Sequence, residues 1–275
     1  MIIEDTFEAE RGALVRDARR IVVKLGSNVV LDADGAPATA RLERIADSLV
    51  ALRATGREVL LVSSGAVGLG RHVCGARTAM TRQAEAAVGQ GRLLAFYHHA
   101  FARRGVEIAQ VLLTDQDFDA GAREERLAAT LDSLLAHGAL PVINENDVVG
   151  DVFGAPLRPS HIRDNDALAS AVARTTRASL LLLLSDVDGV YTANPAVAHD
   201  ATLIPTLRKV THELIVASVG RGARGRGGMA SKLAAASNAS GAGIGVVIAN
   251  GHADGVIDRI LRGEAVGTLV TRRTS

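Results

Sequence analysis

Short apolar runs alternate along this chain with stretches of helical periodicity, and that alternation restricts the fold more than any other feature. The runs are Ile21-Val-Val-Lys24, Val59 to Val62, Ile108 to Leu113, Leu140 to Ile143, Leu180 to Leu184 and Ile244 to Ile248. Each is nearly free of polar alternation, the pattern of a strand covered on both faces. Helical patterns lie between and after them, at about residues 39–55, 78–104, 120–136, 166–177, 228–242 and 252–262. The order predicts an α/β fold with one mainly parallel sheet, right-handed crossovers and helices on both sides. Residues 1–19 read as an amphipathic N-terminal extension, and residues 20–275 as one domain whose two halves meet near residue 178.

Composition excludes several function classes. A net charge of +1 and 3% aromatic residues argue against a nucleic-acid or membrane-surface protein. The basic run from Arg221 to Gly228 sits inside a folded region and suits a nucleotide phosphate better than a nucleic-acid backbone. Leu180 to Leu184 is far too short to span a bilayer, and the acidic start (Glu4, Asp5, Glu8, Glu10) is unlike a signal or transit peptide. Cys74 is the only cysteine, which rules out an intrachain disulfide and fits a cytoplasmic location. The histidines form no metal-ligand spacing, because His98 and His99 are adjacent on a helical pattern and the rest are scattered.

Two clusters of amides and carboxylates stand where ligands bind in α/β sheets. Asn144-Glu-Asn-Asp147 follows a strand pattern, and Asp164-Asn-Asp166 precedes an Ala/Leu-rich helix. Asn amides donate to carboxylates and Asp accepts from ammonium groups, so a zwitterionic or acidic metabolite is the first candidate ligand. Asp164 or Asn165 would also serve as an ordinary helix cap. The segment 149–162 between the clusters, with Gly150, Gly154, Pro156 and Pro159, reads as a long loop or small hairpin.

Three glycine loops suit phosphate. Lys24-Leu-Gly-Ser27 brings a cation and bare backbone N–H groups to one strand end, although such an ending is also common on turns. Ser63-Ser-Gly65 precedes a helix start, where anions bind well; taken alone it reads equally as a serine-capped turn. Gly225-Arg-Gly-Gly-Met-Ala-Ser-Lys232 leads into an Ala-rich helix and places Lys232 as a second phosphate clamp. Neither a dinucleotide fingerprint nor a P-loop is present. Ser185 and Asp186 end the leucine strand where nucleotides often bind, whereas Asp188 and Gly189 read as a structural turn.

Taken in order, Val23 to Ser27, Val62 to Ala66, Gln83 through Leu93, Gln110 to Thr114, Pro141 to Asp147, Asp164-Asn-Asp166, Leu184 to Tyr191 and Gly227 to Lys232 resemble the glutamate 5-kinases of the amino acid kinase family. The kinase half of the pyrroline-5-carboxylate synthases is similar too. The resemblance covers roughly residues 20–270. It implies a three-layer αβα sandwich and ATP-dependent phosphorylation of the L-glutamate γ-carboxylate, the first step of proline synthesis from glutamate. It also implies that Lys24 and Lys232 stabilise the transferring phosphoryl group and that Asp166 orients them. Ser64, Asp147 and Asn165 would bind glutamate. Lys24, Ser185, Asp186 and the loop Arg226, Gly227, Gly228, Met229, Ala230, Ser231 and Lys232 would bind ATP. The half before residue 178 is then the substrate side and the half after it the nucleotide side. Mg2+ is expected only with the nucleotide, and proline as a feedback inhibitor of a homo-oligomer.

This sequence departs from the family pattern at Arg226, where a small hydroxyl residue is usual, and at Arg163, where Gly is usual outside the synthase-type kinases. Leu127 to Thr130 lacks a common Asn. Many bacterial members carry a C-terminal PUA domain, and none is expected in a chain ending at Ser275. Two other readings keep the same residues: a kinase for another acidic metabolite or a phosphate monoester, and a non-catalytic amino-acid sensor. The paired lysines speak against the sensor, since binding alone needs no phosphoryl clamp.

Overall fold

A computed structural model describes residues 11–75, 80–149, 164–218 and 228–273. Residues 1–10, positions 150–162 of the long loop, Arg163, Arg226 and Gly227 lie outside the described residues. The half before residue 178 contains β1 (Arg20–Leu25), α1 (Ser27–Val30), α2 (Thr39–Ala54), β2 (Glu58–Ser63), α3 (Ala66–Cys74), α4 (Arg82–Ala102), β3 (Ile108–Leu113), α5 (Ala122–Ala136), β4 (Leu140–Glu145) and α6 (Asn165–Thr175). The other half contains β5 (Leu180–Ser185), β6 (Thr206–Leu207), α7 (His212–Ala217), α8 (Met229–Gly241), β7 (Gly245–Asn250), α9 (Val256–Leu261) and β8 (Thr268–Val270).

The strands form one eight-stranded sheet in the order β3-β4-β2-β1-β5-β7-β8-β6. Every pairing is parallel except β7 with β8. All six expected strands are present. The short strands β6 and β8, with two and three residues, were not expected, because so few residues show no periodicity. The helix α7 and the single turn α1 were missed for the same reason. Residues 11–16 of the N-terminal extension are helical, and Val15 and Ala18 are buried in the core.

Side-chain alternation on the central strands sorts the core into two layers. Ile21, Val23 and Leu25 of β1 face one layer with Leu42, Leu49, Leu93, Phe101 and Ile260. Val22 faces the other, with Leu131, Leu168, Val172, Leu233 and Ala236. Helices α2, α4 and α9 therefore cover one face, and α5, α6 and α8 the other, which makes the sandwich three-layered. Parity also has a chemical consequence. Lys24 shares the face of Val22, and Ser185 that of Leu181 and Leu183, so both point to the layer of α6 and α8.

Between β2 and β3 the helices α3 and α4 approach until their backbones touch. A Cβ built on Gly89 would overlap the carbonyl oxygen of Ala66, and one on Gly70 that of Glu85. By contrast, one on Gly91, on the exposed side of α4, would meet nothing within 4 Å. This close crossing fixes both the loop after β2 and the first turn of α4. Gly89→Ala is expected to destabilise the chain by about 1–3 kcal/mol or more through overpacking. Gly91→Ala should stabilise it by about 0.5–1 kcal/mol, since alanine loses less backbone entropy in a helix. Urea unfolding of both variants checks the contrast, and equal effects would contradict the close crossing.

Candidate active site

The carboxyl ends of β1, β2, β4 and β5 open into a cavity of about 620 Å³, lined also by the first turn of α6 and by Lys232 of α8. At its base is a buried charge cluster. Lys24 Nζ lies 2.6 Å from Asp166 Oδ1, and Lys232 Nζ lies 3.2 Å from Asp166 Oδ2. The Asp166 side chain is 0% exposed and the two lysines are 5% and 6% exposed, so all three charges have left bulk water. Burial pushes the Asp166 carboxyl upward, but the Lys24 and Lys232 ammonium groups outweigh it and hold the group below the usual carboxylate range. Burial lowers the Lys24 ammonium below its ordinary value; Asp166 opposes the shift and the charge of Lys232 adds to it. One carboxylate between two ammonium groups leaves net positive charge facing the cavity, as bound phosphate requires.

Local sequence explains how α6 and α8 arrive there. Asp164 caps α6, its Oδ1 accepting from the backbone N–H groups of Asp166 at 2.9 Å and Ala167 at 3.0 Å. Its Oδ2 accepts from the Ser231 hydroxyl, which ties the start of α6 to the start of α8. The capping reading is therefore right for Asp164, and the cap also joins the two helices that carry Asp166 and Lys232. Buried alanines on both helices, Ala169 and Ala173 against Ala235, Ala236 and Ala239, belong to the same core layer and keep the helix faces slim.

Ser64, Asp147 and Asn165 meet on the β2/β4 side of the cavity. Asn165 Nδ2 donates to Ser64 Oγ at 2.9 Å, leaving the serine hydroxyl hydrogen for another acceptor. Asn165 Oδ1 is buried with no hydrogen-bond partner, and an orphaned acceptor beside a cavity calls for a donor from a ligand. Asp147 Oδ1 lies 3.4 Å from a guanidinium nitrogen of Arg82. Of the first Asn/carboxylate cluster, Glu145 and Asp147 line the cavity. Asn144 is committed inside the protein: its amide donates to Gln90 Oε1 at 2.7 Å and accepts from the Glu145 N–H at 2.9 Å.

On the β5 side, Ser185 Oγ is buried and also lacks a partner. Asp186 accepts from Asn28 Nδ2 at 2.7 Å. Asp186 also lines a second cavity of about 440 Å³, more apolar, formed by residues 187–196 with Leu214 and Met229. Asp188 is held by Asn250 at 2.8 Å and Tyr191 at 3.2 Å, and a Cβ on Gly189 would press on Thr268 Oγ1 at 2.6 Å; that turn is structural, as expected. Gly26 allows close approach, since a Cβ there would sit 3.3 Å from the Leu184 carbonyl oxygen and 3.7 Å from Lys24 Nζ. Among the described residues, no group of three or more His, Cys, Asp or Glu could hold a metal ion. No helix among them is long and apolar enough to cross a membrane.

The cavity thus brings together Lys24, Ser64, Asp147, Asn165, Asp166, Ser185, Asp186 and Lys232. Gly228, Met229, Ala230 and Ser231 lead into Lys232 as the cap and first turn of α8. Sequence reasoning passed over Asn28, Arg71 and Arg82, which line the same space. The two arginines carry no local signal, because only the crossing of α3 and α4 delivers them.

A model of the amino acid kinase family matches residues 19–250. The chain belongs to the amino acid kinase family. It is 40% identical over 264 residues to a glutamate 5-kinase of Pelobacter propionicus, covering 94% of this chain and 69% of the relative. It is also 40% identical over 281 residues to the delta-1-pyrroline-5-carboxylate synthase of Solanum lycopersicum, covering 96% of this chain and 39% of that protein. Among solved structures, the UMP kinase from Bacillus anthracis superposes with a TM-score of 0.63 at 19% identity, covering 94% of this chain and 98% of the other. The eight-stranded sheet and its two helical layers are thus those of the family, as the sequence resemblance implied.

The charge cluster makes a stability prediction. Asp166, held low, contributes stability above about pH 4, the range of an unfolded carboxyl, and that contribution is lost as pH falls through its lower folded value. Asp166→Asn leaves two buried ammonium groups facing one another and should cost about 3–5 kcal/mol at pH 7. The loss should shrink as pH rises toward about 10. Lys24, lowered by burial, sheds its proton in the folded chain before it does so in the unfolded one. Urea unfolding at both pH values tests this; a loss that does not change with pH contradicts the assignment.

Proposed function

We propose that this chain transfers the γ-phosphoryl group of ATP to the γ-carboxylate of L-glutamate, giving L-glutamyl 5-phosphate and ADP, the first step of proline synthesis from glutamate. The observation that carries the reading is the buried Lys24–Asp166–Lys232 cluster beside the Ser64–Asn165–Asp147 corner, in a chain 40% identical to a glutamate 5-kinase over 94% of its length.

The chemistry asks for cations and no base. A glutamate γ-carboxyl, with a pKa of about 4.3, is already ionised at neutral pH. One of its oxygens attacks the γ-phosphorus, and the bond to the β–γ bridging oxygen breaks as ADP leaves with its electron pair. No proton changes hands. What opposes the step is repulsion between two anions and the charge spread over the transferring group. Lys24 and Lys232 offset both, and Asp166 fixes where they stand while opposing the lowering that burial imposes on the Lys24 ammonium. Mg2+, carried with the nucleotide, supplies further charge neutralisation on the phosphates when bound. Ser185 and Asp186 support the nucleotide side, with the more apolar cavity beyond Asp186 for the base.

Ser64, Asn165 and Asp147 hold the amino acid end. A strand spacing of about 4.8 Å puts β4 on the order of 10 Å from β1. An amino acid whose second carboxylate lies two methylenes from its α-carbon reaches from Asp147 toward Lys24 with help from the length of both side chains. Feedback inhibition by proline, self-association into a homo-oligomer and a cytoplasmic location belong to the same reading.

ADP release coupled to a panel of acids tests the assignment: glutamate is expected to be the preferred acceptor, and a preference for a phosphate monoester or no turnover at all would refute it. Lys232→Ala should lower kcat far more than it changes KM for glutamate, because a group contacting the transferring phosphoryl acts chiefly in the transition state. Asp147→Asn should weaken glutamate use about ten- to hundredfold, the equivalent of a charged hydrogen bond, with KM for MgATP unchanged. Proline inhibition should be overcome by saturating glutamate, and inhibition insensitive to glutamate would separate the two sites.

A further inference from the structure

The geometry points to Arg82 as the group that receives the α-carboxylate of the acceptor amino acid, so that Arg82 and Asp147 together read a zwitterionic head group. This rests on the glutamate kinase reading above. Arg82 is the first residue of α4 and lines the cavity beside Ser64, Asp147 and Asn165. Its contact with Asp147 is long for an ion pair, 3.4 Å, and its side chain is 48% exposed whereas that of Asp147 is 11% exposed. The pair is therefore loosely closed and open on the arginine side. No other hydrogen bond or ion pair engages the guanidinium among the described residues.

Arg71, the other arginine on this rim, is differently placed. Its Nε and a terminal nitrogen both donate to Glu85, at 3.1 and 2.9 Å, so its fork is already occupied by a carboxylate. Arg82 keeps the planar fork that fits a carboxylate in two-point fashion. An α-amino acid carries its ammonium and carboxylate on one carbon. As it binds, the ammonium replaces Arg82 on Asp147 and the carboxylate replaces Asp147 on Arg82, so no charge is left without a partner. Lys24 and Lys232 stand around the buried Asp166 at the other end of the ligand, leaving them for the carboxylate that is phosphorylated. Acids that lack the α-carboxylate would strand Arg82, and the pair thereby selects against them.

The test compares wild type, Arg82→Gln and Arg82→Lys with glutamate and with its α-amide, which keeps the ammonium and γ-carboxylate but has no charged α-carboxylate. Turnover is followed by ADP release and binding by calorimetry. Arg82→Gln is expected to raise KM for glutamate about ten- to hundredfold, to leave KM for MgATP unchanged, and to use the α-amide no worse than wild type does. Arg82→Lys should recover part of the glutamate loss. If Arg82→Gln loses the same factor on both acceptors, Arg82 acts only through Asp147 or the fold and the assignment is overturned; a raised KM for MgATP overturns it as well. A wild-type chain that binds glutamate without turning it over removes the kinase reading alone, and one that does not bind glutamate removes both.

Discussion

A carboxylate with no exposure to water, held between two ammonium groups, is the constraint around which this molecule is arranged. Asp166 would be costly to bury alone, and either lysine would be costly to bury without it. Each of the three comes from a different element: Lys24 from β1, Asp166 from α6 and Lys232 from α8. Satisfying them requires that both helices start directly above the carboxyl end of the central strand. The Asp164–Ser231 link and the alanine faces of α6 and α8 serve that requirement. The outcome is a fixed positive site at the centre of the cavity, positioned before any ligand arrives.

A divided site follows from that centre. Toward β4 lie Ser64, Asn165, Asp147 and Arg82, the set of donors and acceptors proposed to hold the amino acid. Toward β5 lie Ser185 and Asp186, and beyond them the more apolar second cavity. The fold shared with a UMP kinase at 19% identity does not choose between acceptors. In the proposed reading, that choice rests on the corner built by β4, α6 and the start of α4. The α3–α4 crossing, with Gly70 and Gly89 leaving no room for a side chain, sets that corner, so a packing feature on one face of the sheet bears on the chemistry at its edge.

Much of this was legible before any tertiary contact was considered. The apolar runs announced a parallel sheet because only strands covered on both faces can afford to omit polar alternation. Parity along Ile21 to Leu25 assigns Lys24 to a face. The Asp/Asn trio marked a helix start that the structure places on the cavity, and Lys24, Asp166 and Lys232 were each visible as the charged residue that a glycine loop or helix start presents. The short strands β6 and β8 were not legible, since two or three residues carry no period and their pairing depends on segments far away in the chain. Nor were Asn28, Arg71 and Arg82, each unremarkable in its own stretch.

Local chemistry thus prescribed the sheet, the helix starts and the identity of the charges at the base of the cavity, because periodicity, capping and glycine backbone freedom are properties of neighbouring residues. Tertiary packing decided which charge meets which. Asp166 could have been an exposed first-turn carboxylate, and became a buried counterion only because β1 and α8 converge on it. Asn144 and Asp147, three residues apart, took opposite assignments: one amide is turned into the protein against Gln90, and the other side chain opens to the cavity beside Arg82. The position of α4, which carries both Gln90 and Arg82, separates them, and that depends on distances in space rather than along the chain.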